Sequence, residues 1–203
     1  MEQMKQTLLE ALAQYEITVS PEAVDTLCAF GAAMVKQNEV MNLTGITDDK
    51  GVANLHLLDS LTVLSTADLA DKSLIDVGCG AGFPGVPVAI AEPTARVTLL
   101  DSLQKRMNWL SEILPGLGVN ATVVAARAEE YVADHREQYD FATSRAVARL
   151  NILSELCLPY VKVGGKFVAY KSGDVSEIEE AQSAYKVLGG KKGDVYAYGL
   201  PEG

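Results

Sequence analysis

The chain of 203 residues has only two histidines, His56 and His135, far apart in sequence. A histidine-based metal centre is therefore not expected. It has three cysteines, Cys28, Cys79 and Cys157, odd in number and widely spaced. That pattern suits reduced thiols in a cytoplasm, not a disulfide framework or a zinc site. No uninterrupted apolar run approaches the ~20 residues that span a bilayer, so no membrane partner is expected. The opening stretch "MEQMKQTLLEALAQYEI" carries acids and a helical period where a secretory signal would show a basic start and an apolar block. Positive charge is also scarce, and the net charge is −10.

Hydrophobic residues make up 48% of the chain, enough for one substantial core. The charge is unevenly spread. Residues 1–71 hold 3 Lys/Arg against 11 Asp/Glu, whereas 141–172 hold five cations (Arg145, Arg149, Lys162, Lys166, Lys171) and one acid, Glu155. An acidic chain with one locally basic segment is compatible with a phosphate-bearing partner.

Periodicity divides the chain near residue 70. Apolar residues recur at helical spacing in 2–16, onward from Ser20-Pro21, and across about 48–64. Ser20 caps and Pro21 suits a first helical turn. After Asp71, β-rich runs alternate with helical ones. The runs are "SLIDV", "RVTLLD", "ATVVAA", "YDFATS", "GGKFVAYK" and "DVYAYGL". Helices are expected near 84–92, 102–114, 128–134, 149–160 and 174–188. This alternation predicts a doubly wound α/β domain with a mostly parallel sheet, residues 71–203. Residues 1–70 form an N-terminal helical cap packed on it.

The first β-run empties into "GCGAGFPG", with glycines at Gly78, Gly80, Gly82 and Gly85. In a doubly wound sheet the turn after the first strand holds a nucleotide-like ligand. The next strand ends in Asp101, placed to accept from ribose hydroxyls. "GAGFPG", counted from Gly80, also matches the dinucleotide pattern, so glycines alone leave the cofactor open. Asp76, two residues before the first glycine, tilts the choice. A carboxylate ~4 Å from a diphosphate charge costs roughly 4 kcal/mol at an effective dielectric of 20. S-adenosylmethionine carries an ammonium and a sulfonium instead. Beyond the third strand, Ala128 and Glu129 lie on the same rim. Backbone there can pair with an adenine edge, and Glu129 either accepts from the exocyclic amine or stabilises the following helix N-terminus.

Six segments together resemble one family: "MNLTGITDDKGVANLHLLDSL", "LIDVGCGAGFPGVPVAI", "VTLLDSLQKRMNWL", "ARAEEY", "ATSRAVARL" and "GGKFVAYKSG". The family is the bacterial small-subunit ribosomal RNA guanine-N7 methyltransferases, first named for glucose-inhibited division. The resemblance implies a class I S-adenosylmethionine-dependent methyltransferase fold, and S-adenosyl-L-methionine as donor. It implies N7 of a guanine in the decoding-region loop of 16S rRNA as acceptor, and the low total basicity predicts weak binding to naked RNA and help from the small ribosomal subunit. It also implies that Gly78, Phe83, Ala128, Glu129 and Arg145 contact the cofactor, and that Lys171 lies near the reaction centre. Family members usually continue with a final strand past "GLPEG", which leaves the far sheet edge open.

Guanine N7 has a free lone pair, so direct SN2 attack needs positioning and no general base. Lys171 is therefore expected to touch guanine O6 or a phosphate, and Arg145 to hold the cofactor or the target backbone. Phe83, Tyr170 or Phe141 are candidates to stack on a splayed base. Arg149, Lys162, Lys166, Lys191 and Lys192 are candidates for phosphate contacts. His56 and Asp59 share a helix face and either line the pocket mouth or bond within the cap. His135 is expected in an exposed polar loop. A small-molecule methyltransferase and a non-enzymatic ribosome-binding module remain open as alternatives.

Overall fold

The computed structural model describes residues 1–173 and 176–201. Helix α1 (Glu2–Gln14) and helix α2 (Pro21–Met41) open the chain. The Ser20 side chain accepts from the Ala23 amide at 3.2 Å, and Asn42 ends α2 in the left-handed region at φ 50°. A composite helix, α3, follows. Its α-helical start at Asp49–Gly51 widens into π-helix at Val52–Leu58, returns to α at Asp59–Leu61 and tightens to 3₁₀ at Thr62–Ser65. Single π turns in α-helices are frequent at functional sites, and this one carries His56.

The sheet follows in strict alternation. It comprises β1 (Ser73–Val77), α4 (Gly85–Ala91), β2 (Arg96–Asp101), α5 (Gln104–Ile113), β3 (Ala121–Ala125), α6 (Ala128–His135), β4 (Tyr139–Arg145), α7 (Leu150–Cys157) and β5 (Val161–Tyr170). Two short helices, α8 (Ser176–Glu180) and α9 (Gln182–Val187), come next. All pairings are parallel, in the order β3-β2-β1-β4-β5. The chain reverses direction across the sheet between β1 and β4. That switch point opens a crevice at the strands' carboxyl ends.

Strand period 2 sorts the core onto two faces. Leu74, Val97 and Leu99 pack with Leu8, Leu27, Phe30, Leu57 and Leu61 of the N-terminal helices. Ile75, Val77 and Leu100 pack on the other face with Ala142, Cys157 and Tyr160. Phe30 bridges to the glycine turn and to α5, its ring 5.3 Å from Phe83 and 6.1 Å from Trp109.

Three expectations change. "DVYAYGL", residues 194–200, forms no strand. A strand needs a ladder partner, and this segment is drawn sideways onto the helices instead. Tyr198 bonds Asp59 and Thr62, and the Tyr15 hydroxyl donates to the Gly199 carbonyl. The helix expected over 174–188 is α8 and α9, separated at Ala181, with residues 174 and 175 outside the described residues. His135 is not in a loop. It closes α6, stacks on Tyr131 at 3.7 Å and sets Nδ1 2.8 Å from the Tyr131 carbonyl oxygen.

Candidate active site

A cleft of about 470 Å³ opens at the carboxyl ends of β1, β2 and β4. Its floor is the glycine turn. The amides of Gly78 and Cys79 both donate to the Leu100 carbonyl, at 2.8 and 3.1 Å, which ties the turn to β2. Gly78 sits at φ +72°, and a Cβ there would come within 2.5 Å of Val147. Gly80 sits at φ +56°, a conformation that costs other residues roughly 1–2 kcal/mol.

Asp101, at the end of β2, lines the cleft. Its Oδ2 accepts from the Gly80 amide at 2.9 Å and its Oδ1 from the Leu103 amide at 2.8 Å. Each carboxylate oxygen keeps acceptor capacity toward the cleft. Ala128 and Glu129 line the far rim with Ala126 and Arg127. The Ala128 carbonyl accepts from the Tyr160 hydroxyl at 2.6 Å. Glu129, in the first turn of α6, pairs with Arg127 at 3.4 Å.

The opposite wall comes from Phe83, Arg145, His56, Leu43 and Thr44. Arg145 Nη1 donates to Asp59 Oδ2 at 2.6 Å and to the Leu55 carbonyl at 3.2 Å, and Nη2 to His56 Nδ1 at 3.4 Å. Its guanidinium carbon lies 5.3 Å from the Phe83 ring centre, within cation–π range. The His56 ring stacks on Phe83 at 4.9 Å. Burial, then the Arg145 charge, pulls the His56 pKa down to about 4, so its imidazole is neutral at pH 7. His56 thus lines the cleft and also bonds within the helical region. Asp59 fixes Arg145.

Asp76 is not in the cleft lining. It is fully buried beneath the turn, accepting from the Gly85 amide at 2.7 Å and from Thr143 Oγ1 at 3.3 Å. Burial raises its pKa to about 7. A half-protonated carboxyl under the backbone does not carry the repulsion of a diphosphate argued from the sequence. Its effect is structural, and it has a sign. The unfolded carboxyl releases its proton near pH 4 and the folded one near pH 7, so in between the folded state binds more protons. Stability from this group therefore falls as pH rises from about 4 to about 7, by up to roughly 4 kcal/mol. Urea unfolding of Asp76→Asn across that window is expected to show a flatter profile than wild type.

Lys171 also lies outside the cleft lining. Its Nζ donates to the Ala148 carbonyl at 2.9 Å and pairs with Glu177 at 2.8 Å. Tyr170 is buried, and its hydroxyl donates to the Ser60 carbonyl at 2.7 Å, so its ring is not available to a base. Phe141 packs against the core. Arg149 pairs with Glu180 and Lys162 with Asp140, while Lys166, Lys191 and Lys192 are exposed. Leu43, Thr44, Arg106 and Val147 line the cleft without having been singled out. The "NLT" turn was the one available signal for the first two. Among the described residues, no cluster of three or more His, Cys, Asp or Glu is placed to hold a metal.

The parallel sheet, the glycine turn after β1 and an acid ending β2 define a doubly wound fold with a nucleotide-type cleft, the fold that class I S-adenosylmethionine-dependent methyltransferases share. Solved structures agree on the fold. A SAM-dependent O-methyltransferase from Thermotoga maritima aligns with a TM-score of 0.54 at 18% identity, over 76% of this chain and 55% of that one. A precorrin-6y C5,15-methyltransferase from Geobacter metallireducens aligns at 0.51 and 17%, over 65% and 70%. The family model GidB, rRNA small subunit methyltransferase G, matches residues 24–201, and the chain belongs to that family. Ribosomal RNA small subunit methyltransferase G of Acetivibrio thermocellus is 40% identical over 201 residues, covering 98% of this chain and 83% of the relative. That of Staphylococcus carnosus is 42% identical over 200 residues, covering 96% and 83%. The methyl donor is S-adenosyl-L-methionine, and the cleft fits it. Gly78 and Gly80 hold the turn at positive φ along the cleft, a Cβ at Gly78 would strike Val147, and Asp101 keeps free lone pairs.

Proposed function

We propose that this chain transfers the methyl group of S-adenosyl-L-methionine to N7 of a guanine in 16S rRNA. It does so in the cytoplasm, on RNA held in the small ribosomal subunit. Residues 71–203 form the methyltransferase core. Residues 1–70 form a helical region that supplies one wall of the cleft.

In this reading Gly78 and Gly80 admit the methionine portion, Asp101 receives the ribose hydroxyls, and the Ala128 amide with Glu129 receives the adenine edge. Arg145 and Phe83 form the wall beside the reacting end. The donor supplies an electrophilic methyl group, and the residues supply alignment. Holding reactants in line lowers such a barrier by up to ~7–11 kcal/mol.

The observation that carries the mechanism is the state of the cleft's titratable groups. His56 has both nitrogens engaged, one by Arg145 and one by Thr44. Asp101 accepts two backbone amides, and Glu129 is tied to Arg127. N7 has no proton to give, so the reading asks none of them to act as a base. A nucleophile with a ready lone pair needs only alignment from such a site. Lys171 is proposed to support the Ala146–Arg149 loop through Ala148 rather than to touch the base. Mass spectrometry of 16S rRNA after incubation with subunits and donor tests the reading.

A further inference from the structure

Thr44 lines the cleft, and its hydroxyl oxygen has two hydrogen-bond partners. The Ile46 amide donates to Oγ1 at 3.0 Å, and His56 Nε2 lies 2.8 Å away. Which side of the second contact holds the proton is settled across the ring. Nδ1 faces Arg145 Nη2 at 3.4 Å, and a guanidinium only donates, so Nδ1 accepts. The ring is neutral at physiological pH, so its single proton sits on Nε2 and is donated to Thr44. Both lone pairs of Oγ1 are then filled. Among the described residues the hydroxyl proton has no acceptor, and Thr44 lines the cleft.

The backbone holds Thr44 in that attitude. Asn38 Oδ1 accepts from the amides of Leu43 and Thr44, at 2.5 and 2.8 Å, and its Nδ2 donates to the Thr44 carbonyl at 2.9 Å. A side-chain amide thus grips the residue as a neighbouring strand would.

We propose that Thr44 is a donor-only contact of the cleft, held in that role by His56 as a positioning residue. Its ligand is an oxygen acceptor: the carboxylate at the methionine end of the donor, or the O6 carbonyl of the acceptor guanine. The proposal rests on the reading of the cleft as a methyl-transfer site. A donor aimed at O6 leaves the N7 lone pair free, whereas a donor on N7 itself would block attack.

Thr44→Val removes the hydroxyl at nearly constant volume, and Thr44→Ser keeps it. Three measurements separate the two sources: calorimetric affinity for S-adenosylmethionine, affinity for adenosine, and KM for small subunits. With the carboxylate as ligand, Thr44→Val weakens the donor about tenfold or more and leaves adenosine unchanged. With O6 as ligand, donor affinity holds and kcat/KM for subunits falls by a similar factor. Either result supports the proposal if Thr44→Ser recovers to within about threefold. His56→Phe keeps a ring on Phe83 but deletes the Nε2 donor, and it is expected to lose function in the same direction. Thermal midpoints of all variants show whether folding is intact. Thr44→Val matching wild type throughout, or Thr44→Ser as impaired as Thr44→Val, overturns the proposal. Wild type measured alongside separates the deeper failure: no donor binding and no methyl transfer by wild type overturns the reading of the cleft itself.

Discussion

Arg145→Ala is expected to lower kcat/KM for small subunits by about two orders of magnitude while the chain stays folded. Arg145 makes four contacts at once, to Asp59, Leu55, His56 and the face of Phe83. Its side chain and that of Asp59 are only 15% and 14% exposed, so the pair is little screened. Removing one partner of a largely buried pair leaves the other charge uncompensated, at a cost of roughly 3 kcal/mol or more. Here the cost falls on a wall of the cleft. Asp59, with Tyr198 donating to its Oδ1 at 2.9 Å, would lose the cation that fixes it. His56 would lose the donor that sets its tautomer. Arg145→Lys restores charge but not the planar fork, so it is expected to recover only part of the loss. Asp59→Ala combined with Arg145→Ala should cost little more than Arg145→Ala alone, because the two act as one unit. Steady-state kinetics with each variant checks this, and activity of Arg145→Ala within threefold of wild type contradicts it.

Gly85→Ala carries the largest expected effect on stability. A Cβ at Gly85 would lie 2.4 Å from Leu99 Cδ2 and 2.8 Å from Asp76 Oδ2. Neither neighbour can yield easily. Leu99 is fully buried in β2, and Asp76 needs the Gly85 amide because no solvent reaches its carboxyl. Overpacking of this kind costs about 3 kcal/mol, and displacing a buried carboxyl from its donor adds to it. A fall in thermal midpoint of roughly 10 °C follows for a chain of this size. Gly116→Ala is the control, since no atom lies within 4 Å of its added Cβ. Differential scanning fluorimetry of the two should separate them, and equal midpoints would contradict the packing account.

Much of the fold was legible in the sequence because it rests on local signals. The alternation after Asp71, the Ser20-Pro21 helix start and the glycine turn are each written within a few residues. The acid ending β2 could be placed because the strand is short and its end obvious. What was not legible depends on contacts across long sequence separations. Arg145 and Asp59 are 86 positions apart, and nothing in either segment announces the other. The Asn38 grip on Leu43 and Thr44 is closer in sequence. It still depends on α2 ending in a left-handed Asn42 and turning back, which composition does not reveal. Asp76 was assigned to the cleft from its distance to the glycines. Strand alternation places it on the same face as Leu74, against α4, so burial decides its role instead. The expectation that Lys171 touches guanine O6 or a phosphate misses its ion pair with Glu177 in α8, which no local signal announces.

The most direct test uses small subunits whose 16S rRNA lacks the modification, S-adenosylmethionine bearing a trideuterated methyl group, and nuclease digestion followed by mass spectrometry. The label should appear at a single guanine, as N7-methylguanosine, and should be lost with Arg145→Ala. Label on another atom or another RNA, or none in RNA while a small molecule acquires it, would contradict the account.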